Sequence, residues 1–408
     1  MPPSRSRVVI IGGNFAGLVA ASRISSDHDV TVVDPRADFE WTPNIHELLS
    51  GVKRRAGVVL PRAECVKRYG HTYIQDLVTG IDPDRNEVTT ESGHTLPYDA
   101  CLVAAGSVRT TFGVKGADEH ALGFRSVDDA ERIAARLDKL ARRKRRASVV
   151  IVGGGVSGIE AVGEILRRRG QGDEFNVHIV EVESDILDQQ IDGLARDAAE
   201  RFAAYPVTVH TNAVVEEVTA RGVLLESGEK LAADLCIWSA GMALPGFLRD
   251  AGLKDVADQW LPVDQKLRSN YADNVFVAGD CAALPVPLRK QAYYAMDMGE
   301  AAGDNISRLL EGRRLKPFRA KSMPMLISFG DITTWLVVDE AAVASPLLAA
   351  AKEGVYQFMM ARLASPHEPL KYSAGIAGRA VVATRQLLLP QLTPRKLFSG
   401  LTGSRVIF

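Results

Sequence analysis

An α/β fold with two parallel-sheet nucleotide-binding halves and a further C-terminal α+β domain is what this sequence predicts. Three observations carry the prediction. The string RVVIIGGNFAGLVAAS starting at Arg7 and the string SVVIVGGGVSGIEAVGEIL starting at Ser148 are alike and about 140 residues apart. In each, a β-branched run meets a glycine cluster and then a helical apolar pattern, the strand–turn–helix opening of a Rossmann-like unit. Each is followed by a second β-branched strand that closes on an acid, Asp34 or Glu181, 17 and 23 residues past the last glycine of its loop. A dinucleotide fingerprint places that acid about 20 residues on. Length and composition agree. The 408 residues, 46% apolar and 24% charged, suit two or three globular domains.

Composition also excludes classes. With 49 basic and 50 acidic residues the net charge is −1, so the basic footprint of a nucleic-acid binder is missing. Cys65, Cys101, Cys236 and Cys281 form no C-x-x-C pair, which argues against a disulfide framework and for a reducing compartment. The start runs straight into a strand, leaving no room for a signal peptide, and no stretch reaches the ~18 apolar residues of a spanning helix. The expectation is a cytoplasmic protein that can lie on a membrane but not cross it. Eight histidines lack ligand spacing, so no metal is expected, and no G-x-S-x-G points to a hydrolase.

The elements follow in order. Residues 72–78, 87–90 and 95–98 read as a meander, and 98–107 as a buried strand ending in Ala104-Ala105-Gly106. Residues 126–140 read as an amphipathic helix, with the basic run 142–146 as its solvated end. After the second unit, 207–209, 214–218, 223–225 and 229–231 read as another meander, followed by a buried strand ending at Gly241. The string NVFVAGDCA from Asn274 is a strand closing on Gly279-Asp280, and 290–311 is helical. Residues 325–330 and 333–339 are strand-like, 345–363 helical, and the chain finishes in a basic, apolar tail.

The chemistry comes from the loops. In the first, Gly12 permits a tight turn and Gly17 lets the helix pack close. The helix start at Asn14, Phe15 and Ala16 then offers N–H groups and a positive dipole end to a pyrophosphate. Asn14 replaces the middle glycine. Asparagine tolerates positive φ and is short, so the loop is expected to work with some crowding. Asp34 either takes the ribose hydroxyls or is a turn acid before Pro35. The second loop, with Gly153, Gly155, Val156, Ser157 and Gly158, is intact. Glu181 holds its ribose position and repels a 2′-phosphate, which favours NADH over NADPH. Two such sites suggest a tightly held FAD and a transient NADH. Asp280, after Gly279, either binds flavin ribityl hydroxyls or caps the next helix, and Lys290 adds positive charge.

Together these residues resemble the pyridine nucleotide–disulfide oxidoreductase superfamily over about residues 7–317. The likeness rests on both loops, Ala104-Ala105-Gly106, Trp238-Ser239-Ala240-Gly241 and Gly279-Asp280. It implies FAD in a discontinuous domain (1–112 and 242–317), NADH in an inserted domain (113–241) and an acceptor-side or interface domain (318–408). The string FEWTPNIHELLSG, with Pro43, looks like the segment beside the flavin in type II NADH dehydrogenases and AIF-like (AMID-type) oxidoreductases. Its His46 reads as a structural histidine. Ser157-Gly158-Ile159-Glu160 resembles their T-G-V-E, which implies a place for Glu160 near nicotinamide and flavin, with Glu164 one turn on as a second candidate.

Departures from the pattern matter as much. The paired redox cysteine of the disulfide reductases is missing, and no cysteine follows Cys281 as in sulfide:quinone reductases. The quinone-lining A-Q-x-A-x-Q-x-G element of type II dehydrogenases has Tyr293 and Asp297 here in place of both glutamines. The implied function is an FAD-dependent NADH oxidoreductase that passes electrons directly, without a disulfide relay, to an acceptor. A quinone is the first choice. A ferredoxin-like protein or an organic metabolite is the second, and an AIF-like NADH-sensing interaction protein the third. Residues 369–408 hold six basic side chains and no acid. They read either as a segment settling on the cytoplasmic face of an anionic membrane or as a tail docked on its own domain or on a homodimer partner.

Overall fold

In the computed structural model, which describes residues 5–143, 145–169, 175–188, 190–364 and 404–407, the β-branched runs become the strands of two parallel sheets. The chain forms two compact units. One comprises Met1–Glu40, Val59–Val108 and Met242–Lys321, the other Trp41–Val58, Arg109–Gly241 and Ser322–Phe408.

The first unit holds a five-stranded parallel sheet in the order Val275–Val277, Ala100–Val103, Arg7–Ile11, Asp29–Val33, Thr72–Ile74. Its central strand pairs Val8 with Val30 on one side and Ala100 on the other, and Val8 to Ile11 are all buried. A strand covered on both faces needs a continuous apolar run, and VVII supplies one. Residues 72–78 depart from expectation. Thr72–Ile74 joins the parallel sheet, and the meander is Val78–Asp82, Glu87–Thr90, Thr95–Pro97. The polar break at Gln75-Asp76 lets one extended run serve two sheets.

Helix Phe15–Arg23 packs on the long helix Ala292–Leu310, which was expected at 290–311. The close approach depends on small residues. A Cβ on Gly299 would collide with the Ala16 carbonyl, and one on Gly303 would lie 2.7 Å from the Ala20 oxygen.

In the second unit the parallel sheet runs Ala121–Gly123, Leu235–Trp238, Ala147–Val152, Phe175–Val180, Val207–His210. Here too the first piece of the expected meander, 207–209, is an edge strand of the parallel sheet. The meander itself is Val215–Thr219, Gly222–Leu225, Lys230–Ala232. Helix Val127–Ala141 starts where Ser126 and Asp129 form a reciprocal capping box, an arrangement worth about 1 kcal/mol. The described residues of the basic run behind that helix are exposed, as expected of a solvated end, and Arg143 and Arg145 both pair with Asp234, at 2.8 and 2.5 Å.

The C-terminal part of this unit is an antiparallel sheet, Met325–Phe329, Thr333–Val338, Ala341–Ser345 and Arg405–Ile407, with helix Leu348–Ala364. The helix starts after Pro346, later than expected, and the Ser345 hydroxyl accepts from the Leu347 N–H. Gly163 and Gly330 pack backbone to backbone: a Cβ on either would strike the other residue's main chain. Arg405 pairs with Glu200 at 2.7 Å. Residues 365–403, which carry most of the basic tail, lie outside the described residues. No described helix is long and apolar enough to cross a membrane. The four cysteines are free and buried, and burial pushes the Cys281 thiol up to about 11.

Candidate functional site

Gly12 sits at φ +95°, and a Cβ there would collide with the Ala104 carbonyl while lying 3.1 Å from the Ala105 Cα. This is the left-handed turn that only glycine makes cheaply. A Cβ on Gly17 would strike the Gly12 carbonyl, so the helix starts hard against the strand. Leu18 N–H donates to the Asn14 carbonyl at 2.8 Å, the first helical bond. The helix start at Phe15, Ala16 and Gly17 carries the positive end of the helix dipole, the usual place for an anion.

Asn14 differs from expectation. Its φ is −94°, outside the left-handed region. Its carboxamide is turned to the Glu40 main chain, donating to the carbonyl at 3.2 Å and accepting from the N–H at 3.1 Å. The side chain tethers the loop instead of needing a glycine-like backbone.

Asp34 is buried behind the loop. Its Oδ2 accepts from Gly13 N–H at 2.8 Å, and its Oδ1 from Arg36 N–H at 2.9 Å and from the Arg62 guanidinium at 2.6 Å. Two carboxylate oxygens can accept about four bonds, so Oδ2 keeps room for a hydroxyl. Gly279, at φ +83°, lies between the two packed helices: a Cβ there would be 3.5 Å from that of Ala16 and 3.6 Å from that of Ala295. The Ser107 hydroxyl donates to Asp280 at 2.9 Å. Gly106, at φ +67°, has open space where its Cβ would point. A cradle of this kind fits a flavin dinucleotide, with a helix start, a ribose acceptor, and small residues where a side chain would intrude.

Lys290 donates to the Ala282 carbonyl at 2.7 Å and lies over the Trp260 ring, 4.4 Å from its centroid. Burial lowers its pKa, against the pull of Asp280. Tyr293 and Asp297, both half-buried, fall one turn apart at the start of the long helix, and burial raises the Tyr293 phenol.

The second loop repeats the first. Gly153 has φ +105°, with 2.8 Å from its would-be Cβ to the Ser239 hydroxyl, and a Cβ on Gly158 would strike the Gly153 carbonyl. Gly155 has nothing within 4 Å of its missing Cβ, so a side chain there would fill the space open to a pyrophosphate. Val156, Ser157 and Gly158 begin the helix Val156–Arg169. Glu181 accepts from Gly154 N–H at 2.6 Å and from Glu183 N–H at 3.1 Å. Gly241, at φ +75°, packs against the Phe112 ring. These residues fit a second dinucleotide.

Glu160 and Glu164 lie one turn apart on that helix, and both are buried. Glu160 Oε1 accepts from Lys352 Nζ at 2.5 Å and from Ser328 N–H at 3.2 Å, and its Oε2 is 3.3 Å from His46 Nδ1. Burial raises the Glu160 pKa and Lys352 opposes the rise. Burial, with the charges of Lys352, Arg167 and Lys53, pushes His46 well below its ordinary value. Its other ring nitrogen, Nε2, lies 3.5 Å from Lys352 Nζ. Glu164 accepts from the Ser50 hydroxyl and lies 3.4 Å from Arg167, and burial raises it to about 7. Beside them Lys53 bridges Glu47 at 3.4 Å and Glu353 at 2.5 Å, which outweigh its desolvation and raise its pKa.

Sequence reasoning singled out none of Lys352, Lys53 and Glu353; His46, read as a structural histidine, is buried beside Glu160 and Lys352. The available signal was the adjacent Lys352-Glu353 pair inside a helix that is mostly apolar. Pro43 is the second residue of the short 3₁₀ segment Thr42–Leu48 that carries His46 and Glu47.

Comparison with known proteins gives a match of residues 6–299 to the family described as pyridine nucleotide-disulphide oxidoreductase. A demethylphylloquinone reductase NdbB of Synechocystis sp. is 26% identical, over 81% of this chain and 86% of that one. A type II NADH:quinone oxidoreductase of Staphylococcus aureus is 26% identical, over 81% and 89%. Among solved structures, NDH2 of Plasmodium falciparum in complex with NADH has TM-score 0.77 at 18% identity, covering 87% of this chain and 94% of that one. That likeness speaks for the fold.

Proposed function

The chain belongs to the pyridine nucleotide-disulphide oxidoreductase family, and from that premise we propose that it is an FAD-dependent NADH oxidoreductase delivering two electrons to a quinone. The observation that carries this reading is the duplication. Each parallel sheet bears its own glycine turn, close-packed helix start and buttressed carboxylate. The names of the two curated relatives support the quinone.

On this reading Gly12, Asn14, Phe15, Ala16, Gly17, Asp34, Pro43, Ala105, Gly106, Gly279 and Asp280 hold FAD, in residues 1–112 and 242–317. Gly153, Gly155, Val156, Ser157, Gly158, Glu181 and Gly241 hold NADH, in 113–241, and 318–408 forms the acceptor side. Bound FAD supplies the redox chemistry, taking hydride from NADH and yielding two electrons. The chain does the rest. The first-turn N–H groups hold pyrophosphate, Asp34 takes a ribose hydroxyl, and Asp280 orients the ribityl chain. Glu181 disfavours the 2′-phosphate of NADPH. Lys290 keeps positive charge at the flavin end.

A quinone that receives a hydride equivalent needs one further proton, and Glu160 and Glu164 are buried acids able to hold it. Glu160 holds it at a carboxylate set between Lys352 and His46. A soluble acceptor is the second reading, favoured by Tyr293 and Asp297 where glutamines are expected. Attachment to the cytoplasmic face of a membrane through the basic tail, and a homodimer, belong to the same proposal.

Anaerobic reduction of the purified protein by NADH, followed by reoxidation with a short-chain quinone, a ferredoxin-like protein or oxygen, tests it. Rapid reoxidation by quinone is expected. Protein that is colourless and cannot be reconstituted with FAD sinks the reading, and turnover with the protein acceptor alone moves it to the second.

A further inference from the structure

The two loops share their glycines and differ in what lies beneath them. Under the second, the Gly154 carbonyl accepts from the Leu187 main-chain N–H at 2.9 Å. A Cβ on Gly154 would lie 2.8 Å from the Ile186 side chain. Glu181 takes main-chain donors only, and among the described residues no basic side chain pairs with it.

Under the first loop the corresponding carbonyl, that of Gly13, accepts instead from Arg62 Nε at 2.8 Å. The same guanidinium donates through Nη1 to Asp34 at 2.6 Å and to the Arg36 carbonyl. Arg62 is 1% exposed. A Cβ on Gly13 would come 2.5 Å from the Arg62 Cδ, so glycine at 13 makes room for the arginine. Tyr73 closes the arrangement, its hydroxyl reaching the Asp34 and Arg36 carbonyls at 3.0 and 2.6 Å.

A fixed, fully buried guanidinium therefore stands behind one nucleotide loop, while a neutral amide and an isoleucine stand behind the other. Arginine stays charged, and its fork holds a carboxylate in a single orientation. A pre-set acceptor spares the ordering cost that a ligand otherwise meets on binding.

We propose that Arg62 is a positioning residue for the adenosine diphosphate half of the resident flavin. Arg62 fixes the ribose-binding face of Asp34 and adds permanent positive charge behind the first loop. This rests on the assignment of FAD to that loop.

The test is an equilibrium one. Holoprotein is incubated with equal excess concentrations of FAD and FMN, which lacks the adenosine half, and the bound flavins are quantified. Wild type should retain FAD. In Arg62→Met the bound FAD:FMN ratio should fall by at least about tenfold, while the Kd for NADH stays within about twofold. General loosening of the fold would release both flavins alike, so an unchanged ratio overturns the proposal. Should Arg62→Met not fold, Arg62→Lys carries the test. It keeps the charge but loses the fork, and the ratio should drop at least about threefold. A lysine variant with wild-type preference also overturns the proposal. Wild-type protein that holds neither flavin removes the FAD assignment and this inference together. FAD preference intact in wild type and variants alike removes only the inference.

Discussion

At the scale of single residues, the proposed chemistry falls on two buried acids, Glu160 and Glu164. Glu160 is held by Lys352 and His46, and Glu160→Gln keeps its size while removing the titrating group. We expect turnover with quinone to fall by at least about tenfold with FAD content unchanged, as for loss of an acid–base group. A variant with wild-type rate would remove Glu160 from the reaction. Glu164 gives a pH signature. Burial raises its pKa from the ordinary 4.5 to about 7, so the folded state binds this proton more tightly than the unfolded chain. Its contribution to stability is whole below about pH 4.5 and is lost as pH rises through about 7, an effect of about 3 kcal/mol. Melting curves of wild type and Glu164→Gln should therefore diverge between about pH 4.5 and 7, with the glutamine form gaining, and run parallel above that; parallel curves from pH 5 to 8 would contradict the assignment. At the second loop, Glu181→Arg should move the NADPH/NADH ratio of kcat/KM at least about tenfold towards NADPH. An unmoved ratio would falsify the ribose role of Glu181.

At the scale of elements, what the sequence made legible was local. Both strand–glycine–helix units could be placed because turn, helix start and acid lie within about thirty residues of chain. The Lys352–Glu160 pair could not, since its partners are 192 positions apart and nothing in a helix pattern says which acid a lysine will meet. Asn14 was misjudged for a related reason. Its partner Glu40 is 26 residues on, and that tether decides its backbone conformation. Residues 72–74 and 207–210 looked like meander strands because edge strands of a parallel sheet are short and carry no mark of direction. The packing of helices Phe15–Arg23 and Ala292–Leu310 is testable at this scale. Gly299→Ala drives a methyl into the Ala16 carbonyl, and overpacking of this kind costs about 1–3 kcal/mol. A lower Tm is expected, and weaker FAD retention with it if, as proposed, the turn at Ala16 holds the pyrophosphate. A melting temperature equal to wild type would show that the helices can part without cost.

At the scale of the whole molecule, ligand linkage should be visible. FAD bound to the native chain and not to the unfolded one stabilises by about 2.7 kcal/mol at a hundred times its Kd. Thermal melts of flavin-depleted protein should rise with added FAD, and an unresponsive melt would argue that no such site forms. The first unit draws on three stretches of chain, and its outermost parallel strand is Val275–Val277. The second parallel sheet takes all five strands from between Ala121 and His210 or Trp238, one uninterrupted stretch. Chains leave the ribosome N-terminus first and domains fold as units. The later-numbered sheet can therefore close while the earlier one still waits for its last strand to be translated, so that the order of birth along the message is the reverse of the order in which the two nucleotide cradles are completed.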